Sequence, residues 1–237
     1  MNKSPLTPWR LLVGVTVVSL FSATACAPTR LPGPSAAGTA STRPASVGPL
    51  FPAGDARRVV FIIPTDGSLM TSAYLLSTLT LDSVDRLGPA QQFNLILLGS
   101  DTGRALADAP LPATAANRGR ARDFLDKWTA HNGDLIQPLR SAFRMNPDRI
   151  FVLANGDDPN DDAVVREVRR LNAARPPGAK VQVHTVGWLD RGDQYEAMLK
   201  RIAAENAGTY RFVDDAWVDR AAAEAIHESK AREQSAR

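Results

Sequence analysis

The apolar positions of this chain gather into five short, nearly unbroken runs: Val59–Ile63, Phe93–Leu98, Ile150–Ala154, Val181–Val186 and Thr209–Val213. A strand covered on one face alternates apolar with polar residues, whereas a strand buried on both faces does not. The five runs therefore predict central strands of a sheet with both faces covered. Between them the period becomes helical. Leu76, Leu79, Ser83 and Leu87 share one face and stop at Gly88-Pro89. Thr114 is placed to cap a helix carrying Ala121, Phe124, Leu125 and Trp128. Leu135, Leu139, Ala142 and Phe143 mark a third helix that ends before Pro147. Asn160 is placed to cap a fourth, with Asp161 and Asp162 at the favourable end of its dipole and Val164, Val165, Val168 and Leu171 inside. Tyr195, Met198, Leu199, Ile202 and Ala203 form a fifth stripe, closed by Gly208. A last helix is expected from Ala216 to about Lys230.

Strands alternating with helices predict an α/β fold: a doubly wound, mostly parallel sheet flanked by helices. Ligands of such sheets sit beyond the carboxyl ends of the strands, which directs attention to the loops after Ile63, Leu98, Ala154 and Val186. No repeat of 20 to 50 residues is visible.

The beginning of the chain follows another pattern. Lys3 and Arg10 precede an apolar run from Leu11 to Phe21, too short for a bilayer span of roughly 20 residues but suited to a signal peptide. Ser22-Ala23-Thr24-Ala25 and then Cys26 resemble a bacterial lipobox, which implies cleavage before Cys26 and lipid attachment to its thiol. Cleavage after Ala25 to release a soluble secreted protein is the alternative. Residues 26–56 are rich in Pro, Gly, Ala, Ser and Thr and read as a disordered, lipid-anchored spacer. The expected organisation is thus signal peptide 1–25, spacer 26–56, domain 57–228 and polar tail 229–237, in a protein exported to the bacterial cell envelope and held at its membrane.

Charge changes the picture in one respect. The first 54 residues carry Lys3, Arg10, Arg30 and Arg43 and no acid, which leaves −1 for the remainder of a chain whose total is +3. A nearly neutral folded part lacks the basic stripe that phosphate backbones require, so a nucleic-acid partner is excluded. Cys26 is the only cysteine, so no disulfide can form within the chain.

Arg57 to about Ala225 resembles the von Willebrand factor A family, segment by segment. The resemblance is carried by Arg58-Val59-Val60-Phe61-Ile62-Ile63-Pro64-Thr65-Asp66-Gly67-Ser68-Leu69 as first strand and turn, and by Gln92–Leu98 as second strand. Leu111-Pro112-Ala113-Thr114, Val183-His184-Thr185-Val186-Gly187 and Ile202–Tyr210 follow in the family's order. The resemblance implies a divalent-cation site built by an Asp and two Ser after the first strand, a Thr before a middle helix, and an Asp after the fourth strand. Pro64 stands in the first Asp position, Asp66 in the first Ser position, and Asn155 in the later Asp position; the Thr position falls near Gly133. Both carboxylates are missing, and hard cations need them.

The site expectation is therefore a partner-binding rim of Thr65, Asp66, Ser68, Leu69, Met70, Asn155 and Trp188, with no cofactor and an unidentified protein partner. Two alternatives stand beside it. Asp66, Ser68, Asp134, Asn155 and Asp157, with Asp158 nearby, form an acidic cup for Mg²⁺ or Ca²⁺ if the site has shifted. A hydrolase would use Ser68, yet no nucleophile-elbow pattern surrounds it, and His131, His184 and His227 show no catalytic or metal spacing. No enzyme activity is expected.

Overall fold

In the computed structural model the chain is described over residues 48–98, 104–127, 133–156, 161–189 and 192–224, the side chain of Ser68 excepted. The expected signal peptide, Cys26, the expected spacer up to residue 47 and the expected polar tail lie outside these residues. So do Trp128, His131, Asp157, Asp158, Asn160 and His227.

Each apolar run forms a strand: β1 Arg58–Pro64, β2 Gln92–Leu98, β5 Arg149–Ala154, β6 Gln182–Trp188 and β7 Tyr210–Val213. All five pair in parallel, and β1 lies between β2 and β5, with Val60 opposite both Asn94 and Ile150. Two further strands, β3 (Arg104–Ala105) and β4 (Leu111–Pro112), pair antiparallel with β2. Two residues are too few to carry a period, which is why they were not visible as pattern. The full order is β3-β2-β1-β5-β6-β7, with β4 also on β2. Asn94 is a buried polar residue inside β2. Its amide donates to the carbonyls of Ala107 and Ala109 at 2.7 and 3.1 Å and so fastens the connection between β3 and β4 to the sheet.

Five helices follow the expected stripes: α1 Ala73–Asp85, α2 Ala115–Leu125, α3 Ile136–Arg144, α4 Asp161–Ala173 and α5 Asp193–Glu205; a sixth, α6, is described over 215–224. Thr114 caps α2 through its hydroxyl, which accepts the Asn117 N–H at 3.3 Å. Val59, Phe61 and Ile63 face one layer with Leu76, Ala121, Leu125, Trp217 and Ala221. Val60 and Ile62 face the other, with Leu139, Val164, Val168, Leu199 and Ile202. Both faces of the sheet are thereby covered, as unbroken apolar strands demand.

The end of α5 differs in detail from the expectation. The left-handed residue is Ala207, with φ 52°, not Gly208. Gly208 serves close approach instead: a Cβ there would lie 1.9 Å from the Val183 carbonyl oxygen, a contact no side chain survives.

The expected spacer does not extend to residue 56. Leu50 and Phe51 are each 1% exposed and belong to the core. The Phe51 ring lies 5.4 Å from Phe61 and 5.5 Å from Phe151. Polar side chains from α1, from β5 and from the loop before β2 hold the backbone of this strap. Ser83 Oγ accepts the Phe51 N–H, the Arg149 guanidinium donates to the carbonyls of Pro52 and Ala53, and Gln91 donates to those of Gly54 and Ala56. Two apolar residues among Pro, Gly and Ala show no period, so composition concealed a packed segment. Residues 44–237 make one compact unit.

Candidate binding rim at the carboxyl edge of the sheet

β1 and β5 are neighbours, so their carboxyl ends release two loops side by side. Pro64 is the last residue of β1 and is buried. Next to it, the buried Thr65 hydroxyl donates to the Leu98 carbonyl and ties the end of β1 to the end of β2. Asp66 then meets Asn155 across the rim: the Asn155 amide donates to the Asp66 carboxylate at 3.1 Å, and both residues are half-buried. Gly156, at φ 126°, turns the chain away in a conformation open to glycine. A hydrogen bond to a charged acceptor contributes about 1.5–3 kcal/mol, and partial exposure places this one near the lower figure.

After Asp66 the chain makes a single 3-10 turn, Gly67–Leu69, before α1. That turn decides which apolar residues reach solvent. Leu69, expected on the rim, is 2% exposed and packs into the core. Met70 points the other way at 58% exposure, and Tyr74, one helical turn further, is 85% exposed. These are the only large hydrophobics left exposed among the described residues. Tyr74 was absent from the expected rim. Its sequence signal was a large aromatic side chain lying off the Leu76–Leu79–Ser83 stripe.

Trp188 contradicts its expected place on the surface. It is the last residue of β6, 0% exposed, and meets Trp217 of α6 edge to face, with ring centroids 6.5 Å apart and planes at 76°. The Arg211 guanidinium covers the Trp217 ring at 4.7 Å. The helix after β7 folds back over this end of the sheet and buries the indole, so Trp188 is a core anchor. The rim that remains consists of Asp66, Asn155, Met70 and Tyr74, above the buried Thr65 and Leu69.

A von Willebrand factor type A domain model matches residues 58–212, more than half of the chain. The chain belongs to this family. No curated protein matches it. A von Willebrand factor type A structure from Catenulispora acidiphila is similar at 18% identity and a TM-score of 0.58, covering 70% of this chain and 41% of that one. BatB from Bacteroides thetaiotaomicron is similar at 16% identity and a TM-score of 0.48, covering 74% of this chain and 98% of that one. The chain thus spans well under half the length of the Catenulispora protein it resembles.

In this A domain, the members of the expected acidic cup have different fates. Asp66 and Asn155 are together. Asp134 caps α3, its carboxylate accepting the Ile136 N–H at 2.8 Å and the Gln137 N–H at 3.4 Å. Asp157 and the Ser68 side chain fall outside the description. Among the described residues, no three His, Cys, Asp or Glu side chains form a group able to hold a metal ion.

His184 of the A domain lies mid-strand, as expected, and half-buried. Its ring stacks on Phe151 at 5.0 Å, and Nδ1 accepts the Thr209 N–H at 3.2 Å. A backbone N–H can only donate, so the neutral ring carries its proton on Nε2. Burial, and then the nearby Arg149 guanidinium, lower its pKa. This histidine is fixed between strands, with the Thr209 hydroxyl 2.9 Å from Nδ1, and its stacking and its bonds to Thr209 give it a structural role.

Proposed function

We propose that this A domain is a non-enzymatic protein-binding module, displayed at the cell envelope from a lipidated Cys26, that grips its partner through Met70, Tyr74 and Asp66 without a bridging metal ion. The observation that carries this reading is the hydrogen bond from Asn155 to Asp66. The resemblance implies a cation where carboxylates of the β1 and β5 loops face each other. Here Pro64 offers no side-chain oxygen, and an amide donor occupies the other position. The amide gives the two loops a direct link to each other. Of the two facing carboxylates that the resemblance implies, neither stands at its own position, and the Asn155 amide that faces Asp66 is neutral and acts as a donor toward it.

Exposed Met and Tyr side chains four residues apart in sequence suit a protein partner. They supply contact area at low ordering cost, and Tyr adds a polar tip. The exported, anchored state rests on the leader and on the cysteine at its end, and the mass of the mature N-terminus, with Cys26→Ala as comparison, tests it. The binding site is tested by placing a photo-crosslinking residue at position 74 in envelope-bound protein. The expected result is a discrete adduct that persists in chelator and disappears when Met70→Ser and a competing excess of unlabelled domain are introduced. An adduct lost on chelation, or unchanged by Met70→Ser, would overturn the reading.

A further inference from the structure

The sheet has a second edge, and its charge is opposite to that of the rim. Helices α1, α3, α4 and α5 each end where a parallel strand starts. The connecting segments there, 54–58, 85–92, 144–149, 173–182 and 205–209, carry seven basic and four acidic side chains. At the carboxyl edge, the described residues of 64–73, 98–105, 125–136, 154–162, 188–193 and 213–215 carry eight acids and two bases. Part of this asymmetry serves the helices, since acids favour helix starts and bases favour helix ends. Lys180 Nζ, for example, donates to the last carbonyls of α4, those of Asn172 and Ala173.

A carbonyl accepts a hydrogen bond but cancels no charge. Arg175 donates to the carbonyls of Ala179 and Phe143 and to the Asn146 side chain, and Arg144 donates to the Ser141 hydroxyl. The Arg57 side chain has no partner among the described residues. Four cations, Arg57, Arg144, Arg175 and Lys180, therefore share one edge with no carboxylate in ion-pair reach among the described residues; Arg58 is paired to Asp148 at 3.2 Å. Arg57 and Arg58 also flank a shallow depression of about 390 Å³ completed by Ala90, Gln92 and Asp148.

We propose that this basic edge rests on an anionic lipid surface, so that the Met70–Tyr74 rim points away from the membrane toward its partner. The anion is taken as a phospholipid headgroup because the chain begins with an export signal and a cysteine suited to an anchor. The 21 residues between Cys26 and Gly48 reach at most about 70 Å, enough for either edge to meet the bilayer. The tether therefore leaves the orientation open, and charge selects it. This surface acts beside the anchor and does not require it, so its failure would leave the binding reading standing.

The test uses unlipidated residues 27–237, which contain the compact unit, in flotation with vesicles of phosphatidylcholine alone or with one third phosphatidylglycerol. Binding is expected only to the anionic vesicles and to fall as salt rises. Arg57→Glu with Arg144→Glu should lower the partition coefficient about tenfold or more. Arg166→Glu with Arg220→Glu, the same charge change placed elsewhere, should lower it far less. Equal loss from both pairs, binding to neutral vesicles, no binding at all, or a preference for short duplex DNA over the anionic vesicles would each overturn the proposal. Circular dichroism of both pairs separates lost binding from lost folding.

Discussion

Replacing Phe51 by Ala asks whether the strap before β1 belongs to the folding unit. Phe51 is 1% exposed, stands 5.4 and 5.5 Å from two other phenylalanine rings, and lies beside the equally buried Leu50. Removing a fully buried Phe side chain costs about 3–5 kcal/mol, the transfer term plus the cavity it leaves. A strap held at one end of the chain has another response: it can peel away and let solvent onto the Phe61–Phe151 pair. Peeling would limit the cavity cost but forfeit the burial of Leu50 and the Arg149 and Gln91 hydrogen bonds, so the loss stays near 3 kcal/mol. The two responses separate in urea unfolding of residues 27–237. A cavity lowers the midpoint at constant slope, whereas peeling lowers the slope as well, because less surface is exposed cooperatively. At about 2–4 °C per kcal/mol for a domain of this size, the melting temperature should fall roughly 10 °C. Pro52→Ala, at an exposed neighbour, should change stability by less than about 0.5 kcal/mol. A Phe51→Ala effect below about 1 kcal/mol would refute the strap's place in the core.

Glu167 lies between two arginines, and hydrogen bonds from Arg170 and then Arg140 lower its pKa from 4.5 to about 2. Its ionised form favours the folded state above pH 4.5, and that contribution fades as pH falls toward about 2; both arginines are 40% or more exposed, so it amounts to no more than about 1 kcal/mol. Wild type and Glu167→Gln should therefore differ in urea midpoint at pH 6 and converge by pH 2, and a constant gap would contradict this. At the rim, Asn155→Asp sets a second carboxylate against Asp66 and should cost about 1 kcal/mol without metal. Combined with Pro64→Asp it should create millimolar or tighter Ca²⁺ binding by calorimetry, on the order of 10⁻³ M or below, and the natural chain is expected to bind none. Equal binding by the natural chain would end the metal-independent reading.

What could be read from residues alone was whatever repeats along the chain. Continuous Val, Ile and Leu marked β1, β2, β5, β6 and β7, because a strand buried on both faces has no polar positions to interrupt it. Helical stripes placed α1 to α5 for the same reason, and the positions of Pro64 and Asn155 were visible before any contact was known. The tertiary structure decided what depends on a distant partner. Trp188 is covered only because α6 returns with Trp217, and Phe51 is core only because the stacked Phe61 and Phe151 rings lie against it, with Leu50 in the same cluster. One 3-10 turn sends Leu69 inward and Met70 outward, so two adjacent apolar residues have opposite roles. Periodicity reports which side of its own element a residue occupies; burial also depends on what the rest of the chain brings to that side.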